Sequence, residues 1–273
     1  SLVAVRQGIY DSLDIKIDFI TYASATDRDA AFLSGKLDGM LTDYPGATLL
    51  QAKGSRLRLV METDGSLSLI ASKKSNVRNP DDLKGKNISV SGNTFVEYAT
   101  DEVMKRACLH PGEVNKPEIN NIPLRLMMLE DGQISASFLP GPATAIALND
   151  GHTALLNTRQ MGLRCTGIVF SEKAITEKDE EIRRFITGYN LGVKYLQTRP
   201  QNEWTEILVK EFGLQEKAAM QIDLPDYRPA TRPSYHDIEK IIAWLKSKGA
   251  IPDYYPGENL VDTTFIPGTL KPQ

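Results

Sequence analysis

Three short polar runs each follow an apolar stretch and precede a Gly/Pro turn or a helix. Thr42, Asp43 and Tyr44 follow residues 37–41 and stand just before Pro45 and Gly46. Ser91, Gly92, Asn93 and Thr94 follow 87–90, and Pro140 and Gly141 follow 134–139. Such turns lie at the carboxyl ends of strands, where open α/β sheets bind ligands. Asp43 offers an acceptor to an amine or amino-pyrimidine, and Tyr44 a ring for stacking. The alternative is that Asp43 caps the helix opened by Pro45. At 91–94, free amides and a helix dipole favour an anion. Gly92 would allow close backbone approach, while Asn93 or Thr94 caps the helix or donates to a ligand. In the loop 21–26, Ser24 or Thr26 suits a helix cap, and Tyr22 and Ser24 also suit a ligand-facing position. Arg125 is read as a structural ion-pair partner rather than as a carboxylate or sulfonate clamp.

The elements that must position these residues follow from pattern. Residues 14–20 alternate polar and apolar, a strand signal. Strands are also expected at 37–41, 56–61 and 66–71, with helices before Gly35 and before Gly54. This β-α-β-α-β order favours a largely parallel sheet. A polar linker follows at 73–80, and the pattern restarts. Strands are expected at 87–91, 118–122, 134–139 and 153–156, with helices at 94–108, 124–130 and 143–149. A strand at 166–170 returns to the first unit. Helices are then expected at 180–197, 202–212, 215–222 and 235–248. The Pro/Gly-rich tail 253–273 is expected to wrap the surface. The division is two lobes facing one cleft: 1–75 with 163–273 as a discontinuous lobe I, and 76–162 as an inserted lobe II. Two linkers between two lobes make a hinge.

The order of motifs resembles a known family. The segments 3–10 (VAVRQGIY), 27–39 (DRDAAFLSGKLDG), 82–90 (DLKGKNISV), 123–129 (PLRLMML) and 132–142 (GQISASFLPGP) match it in sequence and spacing. They resemble the periplasmic solute-binding proteins of ABC importers, in the nitrate/sulfonate/taurine and thiamine-precursor group (NMT1/THI5-like). The resemblance implies a two-lobed α/β fold of the class II periplasmic-binding type. It implies capture of a small solute by hinge closure and delivery to an ABC permease and its ATPase. It also implies a periplasmic location, or an extracytoplasmic one with an N-terminal lipid anchor. Family members usually carry a strand just before the segment matching 3–10, and many have an acid where Gly141 stands. Nitrate, sulfonates, carboxylates and aminopyrimidines all remain open as ligands.

Composition excludes other classes. The net charge of −3 leaves no basic footprint for nucleic acid. No apolar run approaches the ~20 residues of a membrane span. Cys108 and Cys165 match no zinc spacing; they are expected to line the core, or to form one bridge if the chain is exported. His110, His152 and His236 fit no metal-ligand pattern, and there is no nucleophile elbow or P-loop. No catalysis, cofactor or metal is expected. The alternatives are an enzyme on the same fold, in thiamine-pyrimidine or menaquinone-precursor synthesis, and a ligand-sensing domain of a signalling protein.

Overall fold

Two strands that run against their neighbours organise the molecule. The computed structural model describes residues 2–220 and 227–266. In chain order the elements are α1 (Leu2–Arg6), α2 (Ala25–Leu33), β1 (Gly39–Asp43), α3 (Tyr44–Ala52), β2 (Leu57–Thr63) and β3 (Leu67–Ala71). Then come β4 (Ile88–Ser89), α4 (Phe95–Arg106), α5 (Ile122–Asp131), β5 (Ala136–Pro140), α6 (Gly141–Asn149) and β6 (Thr153–Asn157). β7 (Thr166–Ser171), α7 (Glu172–Glu177), α8 (Asp179–Thr198), α9 (Gln201–Phe212), α10 (Glu216–Met220) and α11 (Tyr235–Ser247) complete the described chain.

The first sheet has the order β1-β7-β2 and the second β4-β5-β3-β6. β7 is antiparallel to both its neighbours, and so is β3; among the described strand pairs, β4 with β5 is the parallel one. The expected largely parallel sheet is therefore corrected. Each strand that crosses between the sheets enters the middle of its new sheet head-on. The strand read at 66–71 belongs to the second sheet, so the chain crosses between Thr63 and Leu67, before the expected 75/76 boundary. The crossing segments are tied to each other. Thr63 Oγ1 donates to Thr166 Oγ1 at 2.9 Å, and Thr166 Oγ1 donates to the Thr63 carbonyl at 3.1 Å. Gly65 makes room, because a Cβ there would lie 2.7 Å from Thr166 Oγ1.

Two other strand readings fail. Asp14 takes a left-handed turn conformation, and residues 15–20 join no sheet. At 118–122 there is one bridge, Val90 to Glu118, before α5 begins. The tail is built into the fold as far as described. Leu59 N–H donates to the Leu260 carbonyl at 2.7 Å, and Leu260 and Phe265 are buried. Of the helix expected at 215–222, α10 covers Glu216–Met220; residues 221–226 and 267–273 lie outside the described residues.

Both sheets turn one face to a shared core. Leu57, Leu59 and Val169 of the first meet Leu69, Ile88, Ala136 and Phe138 of the second, with Phe95, Ala99, Ile238 and Ile241 from α4 and α11 between them. The other face of the first sheet packs on α8 through Ile182, Ile186, Tyr189 and Val193, the helical spacing seen in the sequence. The other face of the second packs on α5 and α6 through Leu139, Leu129, Ala143 and Ala147. α11 packs on α3 and also holds α4: Trp244 Nε1 donates to Asp101 Oδ2 at 2.9 Å, and Lys248 pairs with Glu97. Cys165 is buried, Cys108 is exposed, and both are free thiols.

Candidate functional site

The helices α3 and α4 begin next to each other, and a single carboxylate serves both. Asp43 ends β1 in extended conformation and caps α3: its Oδ1 accepts from Gly46 N–H at 2.7 Å. Its Oδ2 accepts from Phe95 N–H, the first residue of α4, at 3.1 Å. Burial pushes the Asp43 carboxyl up from its ordinary value, opposed by Arg28 and by the two amides. Arg28 reaches the same corner, its Nη2 donating to buried Thr42 Oγ1 at 3.0 Å and pairing with Asp29 at 2.7 Å. Asp43 thus meets the first residue of α4, while Thr42 is held by Arg28.

The start of α4 differs from expectation. The amides of Asn93, Phe95 and Val96 already have protein acceptors. Val96 N–H donates to Thr94 Oγ1 at 3.2 Å, Phe95 N–H goes to Asp43, and the Asn93 amide donates to Glu97 Oε2 at 2.8 Å. Asn93 takes the left-handed conformation, φ 55°, that aims its amide there. Ser91 Oγ donates to Asn120 Oδ1 at 2.7 Å, and Thr94 Oγ1 donates to the Ser91 carbonyl at 2.8 Å. A Cβ on Gly92 would sit 2.8 Å from Glu118 Oε1. Gly92 therefore makes room for a carboxylate of this chain.

Tyr44 is a core residue. It is fully buried, its N–H donates to the Cys165 carbonyl at 2.8 Å, and its hydroxyl donates to Glu62 Oε2 at 3.1 Å. Burial first, then Glu62, push its hydroxyl well above the usual tyrosine range. No ring face is left for a ligand. Ser24 caps α2, accepting from Asp27 N–H at 3.1 Å, and Tyr22 is half-buried beside it. Their loop reaches the second half of the molecule, where the Ala23 carbonyl accepts from Ile122 N–H at 3.4 Å. Thr26 is exposed on the first turn of α2. Pro140 ends β5 and precedes α6. Gly141 is exposed, and a Cβ there would meet nothing within 4 Å.

Two charged groups were missed or misread. Glu62, 6% exposed, takes the Tyr44 hydroxyl and Arg228 Nη2 at 2.8 Å, and Arg228 also holds Asp64 at 2.8 Å. No local pattern signals that cluster, because Arg228 lies far along the chain. Among the described residues Arg125 makes no ion pair, against the expectation of a structural one. It is 3% exposed, and Nη1 donates to the Phe138 carbonyl at 3.0 Å. Burial lowers its guanidinium to about 10, with no acid acting against it. The signal was available: Arg125 lies four residues before buried Leu129, on the inward face of α5.

The comparisons with known proteins fit this geometry. Over 266 residues the chain is 21% identical to a putative thiamine biosynthesis protein of Haemophilus influenzae, covering 92% of this chain and 83% of the relative. The periplasmic aliphatic sulphonate binding protein SsuA of Escherichia coli superposes with a TM-score of 0.80 at 13% identity, over 98% of this chain and 90% of that one. The alkanesulfonate-binding protein SsuA of Xanthomonas axonopodis pv. citri, bound to MOPS, gives 0.79 at 18% identity, over 92% and 90%. The fold is the α/β periplasmic-binding-protein fold. The NMT1/THI5-like family model matches residues 1–203, and the chain belongs to that family.

Proposed function

We propose that this protein captures a small solute between its two α/β halves, closes on it by a hinge and passes it to an ABC permease and its ATPase outside the cytoplasm. The two halves are taken as lobes joined at the crossings near Thr63 and Thr166. The observation that carries this reading is Asp43, which binds the first residue of α4 from across the sheets. One side chain that couples both halves changes its contacts whenever they move apart, so a solute that engages it is coupled to opening and closure. A solute that engages Asp43 has to offer a donor, such as an amine or amino-pyrimidine, in place of the Phe95 amide. The sulfonate-binding proteins that share the fold support an extracytoplasmic role in import. Native mass spectrometry of protein purified from cell extract should show a copurified small molecule, and its removal should expand the particle in small-angle scattering. Protein that carries nothing and keeps one shape under all solutes would sink the reading.

We also propose that the protein is not an enzyme. Cys165 is buried, and burial, then nearby carboxylates, hold its thiol well above the usual range, which suits packing rather than nucleophilic attack. The opposite reading, an enzyme of thiamine-precursor synthesis, draws support from the name of the Haemophilus relative. A copurified molecule whose mass changes on incubation would favour that one.

A further inference from the structure

Besides the Asp43 contact, the two halves meet through a cluster of charges. α11 rides on the first half, where it packs on α3; α4 belongs to the second, where it packs on β5. Ile238 and Ile241 of α11 lie in the shared core, and Trp244 and Lys248 follow toward the end of the helix. There Trp244 Nε1 donates to Asp101 Oδ2 at 2.9 Å, and Lys248 pairs with Glu97. The Trp244 ring also meets Tyr98 of α4 edge-on, with centroids 5.3 Å apart. Lys116 joins from the second half. It donates to Glu97 Oε1 at 3.1 Å and to Asp101 Oδ1 at 2.7 Å, and the carbonyl of the next residue, Pro117, accepts from Val90 N–H at 3.0 Å.

Each side of this contact keeps a partner if the other side leaves. Lys116 stands with both acids in the second half, so Glu97 and Asp101 stay neutralised when α11 swings away. Lys248 Nζ overlies the Trp244 ring at 4.6 Å, so the departing cation keeps a partner on its own helix. Separation therefore strands no buried charge, which is the costly outcome of breaking an ion pair. Lys116 is 24% exposed, and Asp101 and Lys248 are each 27% exposed, so water reaches the contact as it opens. Glu97 carries the contact to the start of α4. Its Oε2, which takes Lys248, also accepts from the Asn93 amide at 2.8 Å, and Asn93 holds the left-handed φ of 55°.

We propose that Glu97, Asp101, Trp244 and Lys248 form a latch between the two halves, with Lys116 as the counter-charge that lets it release. The latch sets how often the halves part without touching the solute. A solute bound between the halves gains from the same closure, so latch strength and solute affinity rise together. This assignment deepens the solute-capture reading and rests on its hinge.

The test is single-molecule FRET on the full chain, refolded from urea to strip any bound solute. Cys108 is exposed in the second half and Cys165 is buried, which leaves one natural labelling position. Lys173→Cys supplies the other, on α7 of the first half, where the side chain is 79% exposed. Wild type should show a major short and a minor long separation. Lys248→Met and Trp244→Phe should each raise the long-to-short ratio about two- to fivefold, the range of a partly exposed pair. Lys116→Met should lower it, because the released acids then lose the lysine they would have kept. A purely structural cluster would move all three variants the same way, and that result overturns the latch. So do two wild-type populations that no variant shifts, which would leave the hinge standing. A single separation in wild type and in every variant would remove the hinge, and the latch with it.

Discussion

Asp43 and Arg125 bring opposite charges to the two sides of the molecule, and their surroundings differ. Asp43 receives two amides, from Gly46 and Phe95, at the starts of two helices, with Arg28 nearby. Arg125 receives one carbonyl and has a buried nitrogen left over. The acid is held by the fold itself. The base is held by a helix whose inward face is otherwise apolar, and its charge is left for something else to complete. A buried charge that the chain satisfies is structural first; one that it leaves unsatisfied is where a partner from outside gains most.

The largest effect should come from the satisfied charge. Asp43→Ala removes the α3 cap and orphans the Phe95 amide. A cap is worth about 0.5–2 kcal/mol and an unsatisfied buried amide about 1–3, so a loss of about 2–4 kcal/mol is expected in urea unfolding. Arg125→Met should go the other way. Replacing an unpaired buried cation by an apolar chain of similar length should be neutral or stabilising, by about 1–2 kcal/mol, in solute-free protein. If both substitutions destabilise alike, Arg125 has a partner in solution and the contrast collapses.

Much of the fold was legible. The alternation of strands and helices, the spacing along α8 and the caps at Ser24, Asp43, Thr94 and Ser234 are local signals, and the structure keeps them. Strand direction was not. A β-α-β order reads as parallel until the incoming strands β3 and β7 are placed, and nothing near either strand names its partners. Tyr44 shows the same limit within the site. Its sequence position after β1 suited a ligand-facing ring, yet its ring lies against Gly167, where a Cβ would be 3.3 Å from Tyr44 Cε1. That space is made by a glycine on β7, far along the chain. The position of Asp43 was legible, but its second amide was not, because Phe95 comes from the other sheet's layer.

A third charge tests whether pairing explains the contrast. Glu97 lies one turn into α4 and is 10% exposed. Burial works to raise its carboxyl, but Lys248, the Asn93 amide and Lys116 outweigh it and hold it below the ordinary 4.5. A carboxyl lower in the folded than in the unfolded chain adds stability above the unfolded value, and this is lost as pH falls through the folded one. Lys248→Met should therefore cost about 1 kcal/mol at pH 7. That cost should shrink steadily below pH 4.5 as Glu97 is protonated in both proteins. A cost that stays level from pH 7 to pH 3 would mean that Lys248 acts by packing on Trp244, whose ring its Nζ overlies at 4.6 Å.

The smallest effect should come from Gly92. A Cβ at this position meets the Glu118 carboxylate, with Oε1 at 2.8 Å, and Glu118 is an exposed side chain that can swing away. Gly92 does not have the positive φ that would strain an alanine. Gly92→Ala should then change stability by less than about 0.5 kcal/mol, the range of ordinary surface substitutions. A larger loss would mean that Glu118, which accepts from Asn120 Nδ2 at 3.1 Å, is held in place rather than free to swing away.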